Sequence, residues 1–214
     1  MKFDHVRNQV METVHKLCAT ELIRLSAGNV SARAGEGLLA ITPSRLPYES
    51  MKPEDITIID FAGEVIDGRH KPSSETPMHS SILYQMPEVE AVVHTHSLFT
   101  IALSVTGTEL PVLSTETLAI GGPIPIAPYT RPGSDKTGDN AVQIFRERPE
   151  LKCLLLRNHG AIAIGPDLDA AYQNAHKLEI GAQIYQLALQ SGREPIPLTE
   201  EQIYEIKSEY LKII

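Results

Sequence analysis

Val6, Val10, Val14, Leu17 and Cys18 recur at three- and four-residue intervals, which predicts an amphipathic helix over residues 3–25. Ser26-Ala-Gly-Asn29 breaks that pattern with residue types that tolerate left-handed backbone. Gly37-Leu-Leu-Ala-Ile-Thr42 reads as a strand running into the Pro43-Ser44-Arg45 loop, and residues 56–60 and 64–67 read as a hairpin around Phe61-Ala-Gly63. A polar loop over residues 68–76 leads to a helix with Pro77 in its first turn, where a missing N–H costs nothing. That helix ends near Met86-Pro87, and Val92 and Val93 then carry a strand into His94-Thr-His96.

Residues 98–104 and 137–148 are predicted helical. Gly121-Gly-Pro-Ile-Pro-Ile-Ala-Pro128 holds too much proline for a central strand and suggests an edge strand or an extended loop. Residues 151–157 and 161–164 read as strands flanking Asn158-His159-Gly160. Leu168, Ala171, Tyr172, Ala175, Leu178, Ala182 and Tyr185 mark a long helix from Asp167 to about residue 190, and Thr199 with Gln202 forms a capping-box pattern for a last one. The mixture of hairpins and helices predicts a largely antiparallel or mixed sheet with helices packed on it. We read residues 1–214 as one domain, long enough for one sizeable core.

Charge narrows the partners. A net charge of −8 argues against a nucleic-acid or anionic-membrane surface, yet leaves room for a local positive pocket that holds a phosphate. Hydrophobic content of 42% and charged content of 21% are those of an ordinary soluble globule. No apolar stretch approaches a membrane span, and the N-terminal residues lack the apolar core of a signal peptide. Cys18 and Cys153 lie far apart in different predicted elements, which fits two reduced thiols and a cytoplasmic setting.

On a strand, residues i and i+2 share a face, so His94 and His96 project together and form half of a divalent-metal site. Eight histidines in the chain make one His-x-His a common coincidence, so the motif gains weight only from its company. His159, at a strand end in a tight Asn-His-Gly turn, would usually be structural; beside His94 and His96 it is the natural third nitrogen. Three histidines leave open positions, the catalytic rather than the structural arrangement, and permit Lewis-acid binding of a carbonyl or enediolate oxygen. Glu75 reads either as a solvated carboxylate at a helix start or, near a metal, as a general base. Ser26, Gly28, Asn29, Ser44, Ser73 and Ser74 sit in turns suited to cradling a phosphate.

These segments together resemble the class II aldolase/adducin family. The matching residues are Ser26-Ala-Gly-Asn-Val-Ser-Ala-Arg33, Ile41-Thr-Pro-Ser44 with Pro47-Tyr48, Pro72-Ser-Ser-Glu75 with His79, and Ala91-Val-Val-His-Thr-His96. Gly121-Gly122 through Tyr129, Asn158-His159-Gly160 and the Ala175-His-Lys-Leu-Glu179 helix follow in the family's order, over nearly the whole chain. Length and order are most like its bacterial L-fuculose-1-phosphate aldolase branch. The resemblance implies a three-layer α/β/α fold around a mostly antiparallel sheet, in a homotetramer with active sites between subunits. It also implies one metal per subunit, usually Zn2+ with Mn2+ or Co2+ as substitutes, on His94, His96 and His159 with Glu75 as neighbour and acid/base. Gly28, Asn29, Ser44, Ser73 and Ser74 would hold the phosphate of a sugar-phosphate substrate.

Two positions depart from that branch. Thr115 stands where the branch lends a catalytic tyrosine to the neighbouring subunit, and Glu116 beside it could take over. Arg45 replaces a glycine beside the phosphate loop and could add a phosphate contact or point into solvent; Tyr210 matches a tail tyrosine of the branch. The reading is reversible retro-aldol cleavage of a ketose 1-phosphate, such as L-fuculose or 5-deoxyribulose 1-phosphate, to dihydroxyacetone phosphate and a small aldehyde. Glu116 or Tyr210 would serve the C4 hydroxyl and Glu75 the C3 proton. The alternatives are a pentulose-phosphate 4-epimerase, a sugar-phosphate dehydratase or decarboxylase, or a non-catalytic adducin-type binding module, which would lack the intact histidine set.

Overall fold

The N-terminal apolar stripe forms helix α1 (Asp4–Ala19) in the computed structural model, which describes residues 3–211. The termini of the expected 1–214 domain, residues 1–2 and 212–214, lie outside the described residues. Helix α1 stops six residues before the predicted end at 25 because Glu21 and Leu25 take left-handed backbone, with φ of 57° and 59°. Between them Leu22 and Ile23 turn back into the core, with both amides on the Leu17 carbonyl. The periodic apolar residues are buried as predicted, but by a turn and not by a longer helix.

The chain continues as β1 (Asn29–Arg33), β2 (Leu38–Ile41), β3 (Thr57–Asp60), β4 (Val65–Asp67), α2 (Thr76–Gln85), β5 (Ala91–Thr95), α3 (Leu98–Ser104) and α4 (Thr115–Ala119). Then come β6 (Ile126–Ala127), α5 (Asp135–Glu147), β7 (Cys153–Leu156), β8 (Gly160–Gly165), α6 (Leu168–Gln190), α7 (Glu200–Glu205) and a π-helical turn, Ile206–Leu211. The strands form one sheet in the order β4-β3-β2-β1-β5-β8-β7-β6. All neighbours are antiparallel except β6 and β7, so the proline-rich segment does supply an edge strand. The predicted capping box holds: Gln202 N–H donates to Thr199 Oγ1 at 3.3 Å and Thr199 N–H to Gln202 Oε1 at 2.9 Å.

Register sorts the side chains into layers. Asn29 pairs with His94, Ser31 with Val92, His94 with Ile162 and Val92 with Ile164, so these six residues share one face. Helices α2 and α5 cover that face, where His79 of α2 bonds Ser31 and Phe145 of α5 lines a pocket with Ile164. Val30, Val93, Ala161 and Ala163 point the other way, toward α1 and α6. The small residues let α6 come close: a Cβ on Gly165 would stand 2.6 Å from the Ala171 nitrogen. Val30, Val93, Ile162, Leu17 and Leu178 are at most 1% exposed, each contributing about 1.5–3 kcal/mol by leaving water. The result is a three-layer α/β/α architecture around a mostly antiparallel sheet. Among the described residues no helix is long and apolar enough to cross a membrane.

Candidate metal centre and its cleft

His94 occupies the penultimate position of β5 and is fully buried, while His96 follows just beyond the strand end. His159 enters from the turn between β7 and β8, where Asn158 takes left-handed backbone at φ 56°. Gly160 next to it packs so tightly that a Cβ would collide with the Thr95 carbonyl, so the turn can bring His159 against β5 only with glycine there. Glu75 precedes the first turn of α2 as its N-cap residue, with its side chain aimed at the histidines instead of capping the helix.

The three imidazoles meet edge to face, with ring centroids 4.8–4.9 Å apart. His94 Nδ1–H donates to the Ala161 carbonyl at 2.9 Å, which leaves the Nε2 lone pair facing the centre. His94 Nε2 and His96 Nε2 stand 2.9 Å apart, too close for two bare lone pairs, so a proton or a cation belongs between them. Glu75 Oε2 lies 3.0 Å from His94 Nε2, and Glu75 Oε1 lies 3.2 Å from His159 Nε2. One ligand atom from each of Glu75, His94, His96 and His159 falls within 4.8 Å of all the others. Three nitrogens and one carboxylate oxygen, converging and largely buried, fit a divalent metal.

The four groups set one another's charge. Burial lowers His96 to about 3 and His159 to about 4, each helped by the neighbouring His94 charge, so both stay neutral and able to ligate near pH 7. Burial alone would raise Glu75, but the charge and hydrogen bond of His94, with Asn29 and His159, hold it well below the usual carboxylate range. His94 is raised in turn: burial opposes its charge, and Glu75 outweighs burial.

The cluster forms one end of a cleft of about 560 Å³ that is also lined by Gly28, Asn29, Ser44, Arg45, Ser73 and Ser74. The five residues that the resemblance assigns to phosphate, and Arg45 beside them, are therefore brought to one place. Hydrogen bonds tie their loops together, from Ser44 N–H to the Lys71 carbonyl at 2.9 Å and from Ser73 N–H to the Thr42 carbonyl at 3.1 Å. Buried Tyr48 donates to the Gly28 carbonyl at 2.6 Å, and a Cβ on Gly28 would lie 2.7 Å from the His94 carbonyl. Arg45 sits at φ 61°, a left-handed position that favours the glycine of the resemblance.

Lys71 and Pro132 also line the cleft, and sequence reasoning missed both. A lysine directly before Pro72-Ser-Ser was the available signal for the first. Also unassigned was Glu179 of α6, which accepts from Ser97 Oγ at 2.7 Å and from Phe99 and Thr100 N–H at 2.9 Å. It thereby anchors the start of α3, whose N-cap residue Ser97 directly follows His96. Glu116 and Tyr210 do not line this chain's cleft. Glu116 lies in the first turn of α4, accepting from Thr115 Oγ1 at 3.3 Å. Tyr210 is 72% exposed on the C-terminal turn.

The fold and the histidine–carboxylate cleft agree with sequence relationships: the chain belongs to the family described as Class II Aldolase and Adducin N-terminal domain, matched over residues 8–186. It is 34% identical to 5-deoxy-D-ribulose 1-phosphate aldolase of Bacillus thuringiensis serovar kurstaki, over 95% of this chain and 94% of that protein. It is 33% identical to L-fuculose phosphate aldolase of Escherichia coli K12, over 95% of this chain and 93% of that protein. A solved structure of an L-fuculose 1-phosphate aldolase superposes with a TM-score of 0.86 at 30% identity, covering 97% of this chain and 96% of that one.

Proposed function

We propose that this protein is a metal-dependent aldolase that reversibly cleaves a ketose 1-phosphate to dihydroxyacetone phosphate and a small aldehyde. One observation carries the reading: a metal cluster of three histidines and a glutamate shares one cleft with a cradle of glycine, serine and cationic residues. His94, His96 and His159, with Glu75, would hold the ion, which we take to be zinc at one per chain. Bound there, a divalent metal supplies Lewis-acid stabilisation of the negative charge that cleavage leaves on the C2–C3 unit.

The chain's own residues account for the rest. The backbone N–H groups of Gly28 and Ser74 and the hydroxyls of Ser44, Ser73 and Ser74 take the C1 phosphate, with Arg45 and Lys71 matching its charge. Cleavage breaks the C3–C4 bond, the C4 hydroxyl gives up its proton, and the bonding pair stays with the phosphate-bearing fragment. In the synthetic direction ionised Glu75 removes the C3 proton; in cleavage it passes to C3 a proton taken up from water, while the base at the C4 hydroxyl releases one to water. A neighbouring subunit supplies the base for the C4 hydroxyl, through Glu116 or Tyr210. The homotetramer with sites at its interfaces is the one the family resemblance implies, and subunit contacts would cover some of the exposed Leu25, Leu98, Tyr129 and Ile196. Free Cys18 and Cys153 support a cytoplasmic setting, and we read residues 1–214 as a single domain.

A panel of ketose 1-phosphates assayed for dihydroxyacetone phosphate tests this reading. Release from at least one, abolished by a chelator and restored by zinc, is expected. Release from none would overturn it.

A further inference from the structure

His79 lies outside the cleft and holds no position in the metal cluster, yet it is fully buried with both ring nitrogens engaged. Ser31 Oγ meets its Nδ1 at 2.6 Å, and its Nε2 makes a short hydrogen bond to Asn29 Oδ1. Asn29 Nδ2 in turn donates to Glu75 Oε2 at 2.9 Å. Ser31, His79, Asn29 and Glu75 thus form one continuous chain that runs from β1 to α2, back to β1 and on to Glu75.

Donor and acceptor chemistry gives that chain a direction. An ionised carboxylate only accepts, so Asn29 has to present its NH2 group to Glu75 and its carbonyl oxygen to His79. The carbonyl oxygen also only accepts, so the proton of His79 sits on Nε2. Nδ1 is then bare and accepts from the Ser31 hydroxyl. Every donor points toward Glu75. The ring is fully buried and touches no carboxylate among the described residues, which suits the neutral form this arrangement needs.

The two ends of an asparagine amide have the same shape, so packing alone does not choose between them. A flipped Asn29 would set its oxygen against the Glu75 carboxylate and its NH2 group against the His79 N–H. We infer that His79 is a positioning residue for the chemistry at Glu75: as its Nε2–H tautomer it locks Asn29 in the one orientation that donates to the carboxylate. It thereby fixes Glu75 relative to His94 and His159. The inference rests on the aldolase reading for its kinetic consequence, but not for the hydrogen-bond pattern itself.

Nitrogen-15 NMR of the zinc-loaded wild-type protein reads the tautomer directly, without substrate. A proton on Nε2 with a bare Nδ1 is expected; a proton on Nδ1 would overturn the inference. Kinetics add a second test. His79→Leu should lower kcat about 10- to 100-fold, as small misplacements of reacting groups do, with KM and zinc content within about twofold of wild type. His79→Gln, which keeps a donor for Asn29, should recover most of kcat. In an Asn29→Ala background His79→Leu should cost no further kcat, since its effect runs through Asn29. An unchanged kcat in folded, zinc-loaded His79→Leu, or the same loss in both backgrounds, would contradict the lock. If His79→Leu does not fold, the wild-type tautomer decides; if the wild type cleaves no ketose phosphate, the aldolase reading fails and the tautomer still decides His79.

Discussion

His94 and Asn29 are direct partners across the β1–β5 ladder, and both side chains reach the same oxygen of Glu75, at 3.0 Å and 2.9 Å. One candidate metal ligand and the amide donor to the proposed acid/base are therefore fixed relative to each other by strand register. Slipping β1 by one residue would turn Asn29 to the opposite face and leave Glu75 without its amide donor.

If these histidines hold the metal, replacing any one removes a ligand from a converging set. His94→Ala, His96→Ala and His159→Ala should each bind zinc at least about 10-fold more weakly than wild type. Metal analysis after dialysis against a weak chelator checks this. Full zinc content in all three variants would remove the assignment.

Arg45 combines a left-handed backbone with a guanidinium that makes no ion pair with another described residue. Arg45→Gly should change stability by no more than about 1 kcal/mol, because relief of the left-handed strain is offset by the unfolded-state freedom of glycine. KM for the phosphorylated substrate should rise about 10-fold if the guanidinium meets the phosphate, since a charged hydrogen bond is worth about 1.5–3 kcal/mol. Thermal melts and steady-state kinetics on the same sample separate the two effects. An unchanged KM means the side chain points into solvent.

Asp55 anchors the loop that carries Lys71 and Ser73. Its Oδ1 accepts from Arg69 Nε at 3.1 Å, its carboxylate pairs with Arg69 Nη2 and His70 Nε2, and its Oδ2 accepts from Lys52 N–H at 2.9 Å. Burial alone would raise its pKa, but Arg69, the Lys52 amide and His70 bring it down to about 2. A carboxyl depressed on folding contributes stability above its unfolded pKa, near 4, and loses it as pH falls through the folded value. Urea unfolding between pH 4 and pH 2 should therefore show stability declining, with a shallower decline in Asp55→Asn. At pH 7 that variant should be about 1–2 kcal/mol less stable. Equal slopes would show that the clamp contributes nothing.

The parts legible in the sequence are those with a local signature. His94 and His96 follow from period-two geometry, the Thr199–Gln202 cap from its spacing, and the edge position of β6 from its prolines. Strand β1 went unread because its inward residues, Asn29 and Ser31, are polar; they are buried only because His79 and Glu75 satisfy them. Those partners lie 46 to 50 residues away in the chain, and no periodicity reports them. The end of α1 failed for the opposite reason, since Leu22 and Ile23 keep the apolar pattern while left-handed Glu21 turns the backbone. Helix α4 is five residues long, too short for a periodic signal. Tyr210 was assigned by resemblance and Glu116 by its place beside Thr115, where the family branch departs, and their proposed partner is a surface of another subunit.

Solvent deuterium exchange at C3 of dihydroxyacetone phosphate measures the proton transfer assigned to Glu75, with no aldehyde and no knowledge of the natural ketose. The zinc-loaded protein should exchange one C3 hydrogen, a chelator should stop it, and Glu75→Gln should exchange about 100- to 10,000-fold more slowly while remaining folded. No exchange by the zinc-loaded wild type, or wild-type exchange in Glu75→Gln, would contradict the account.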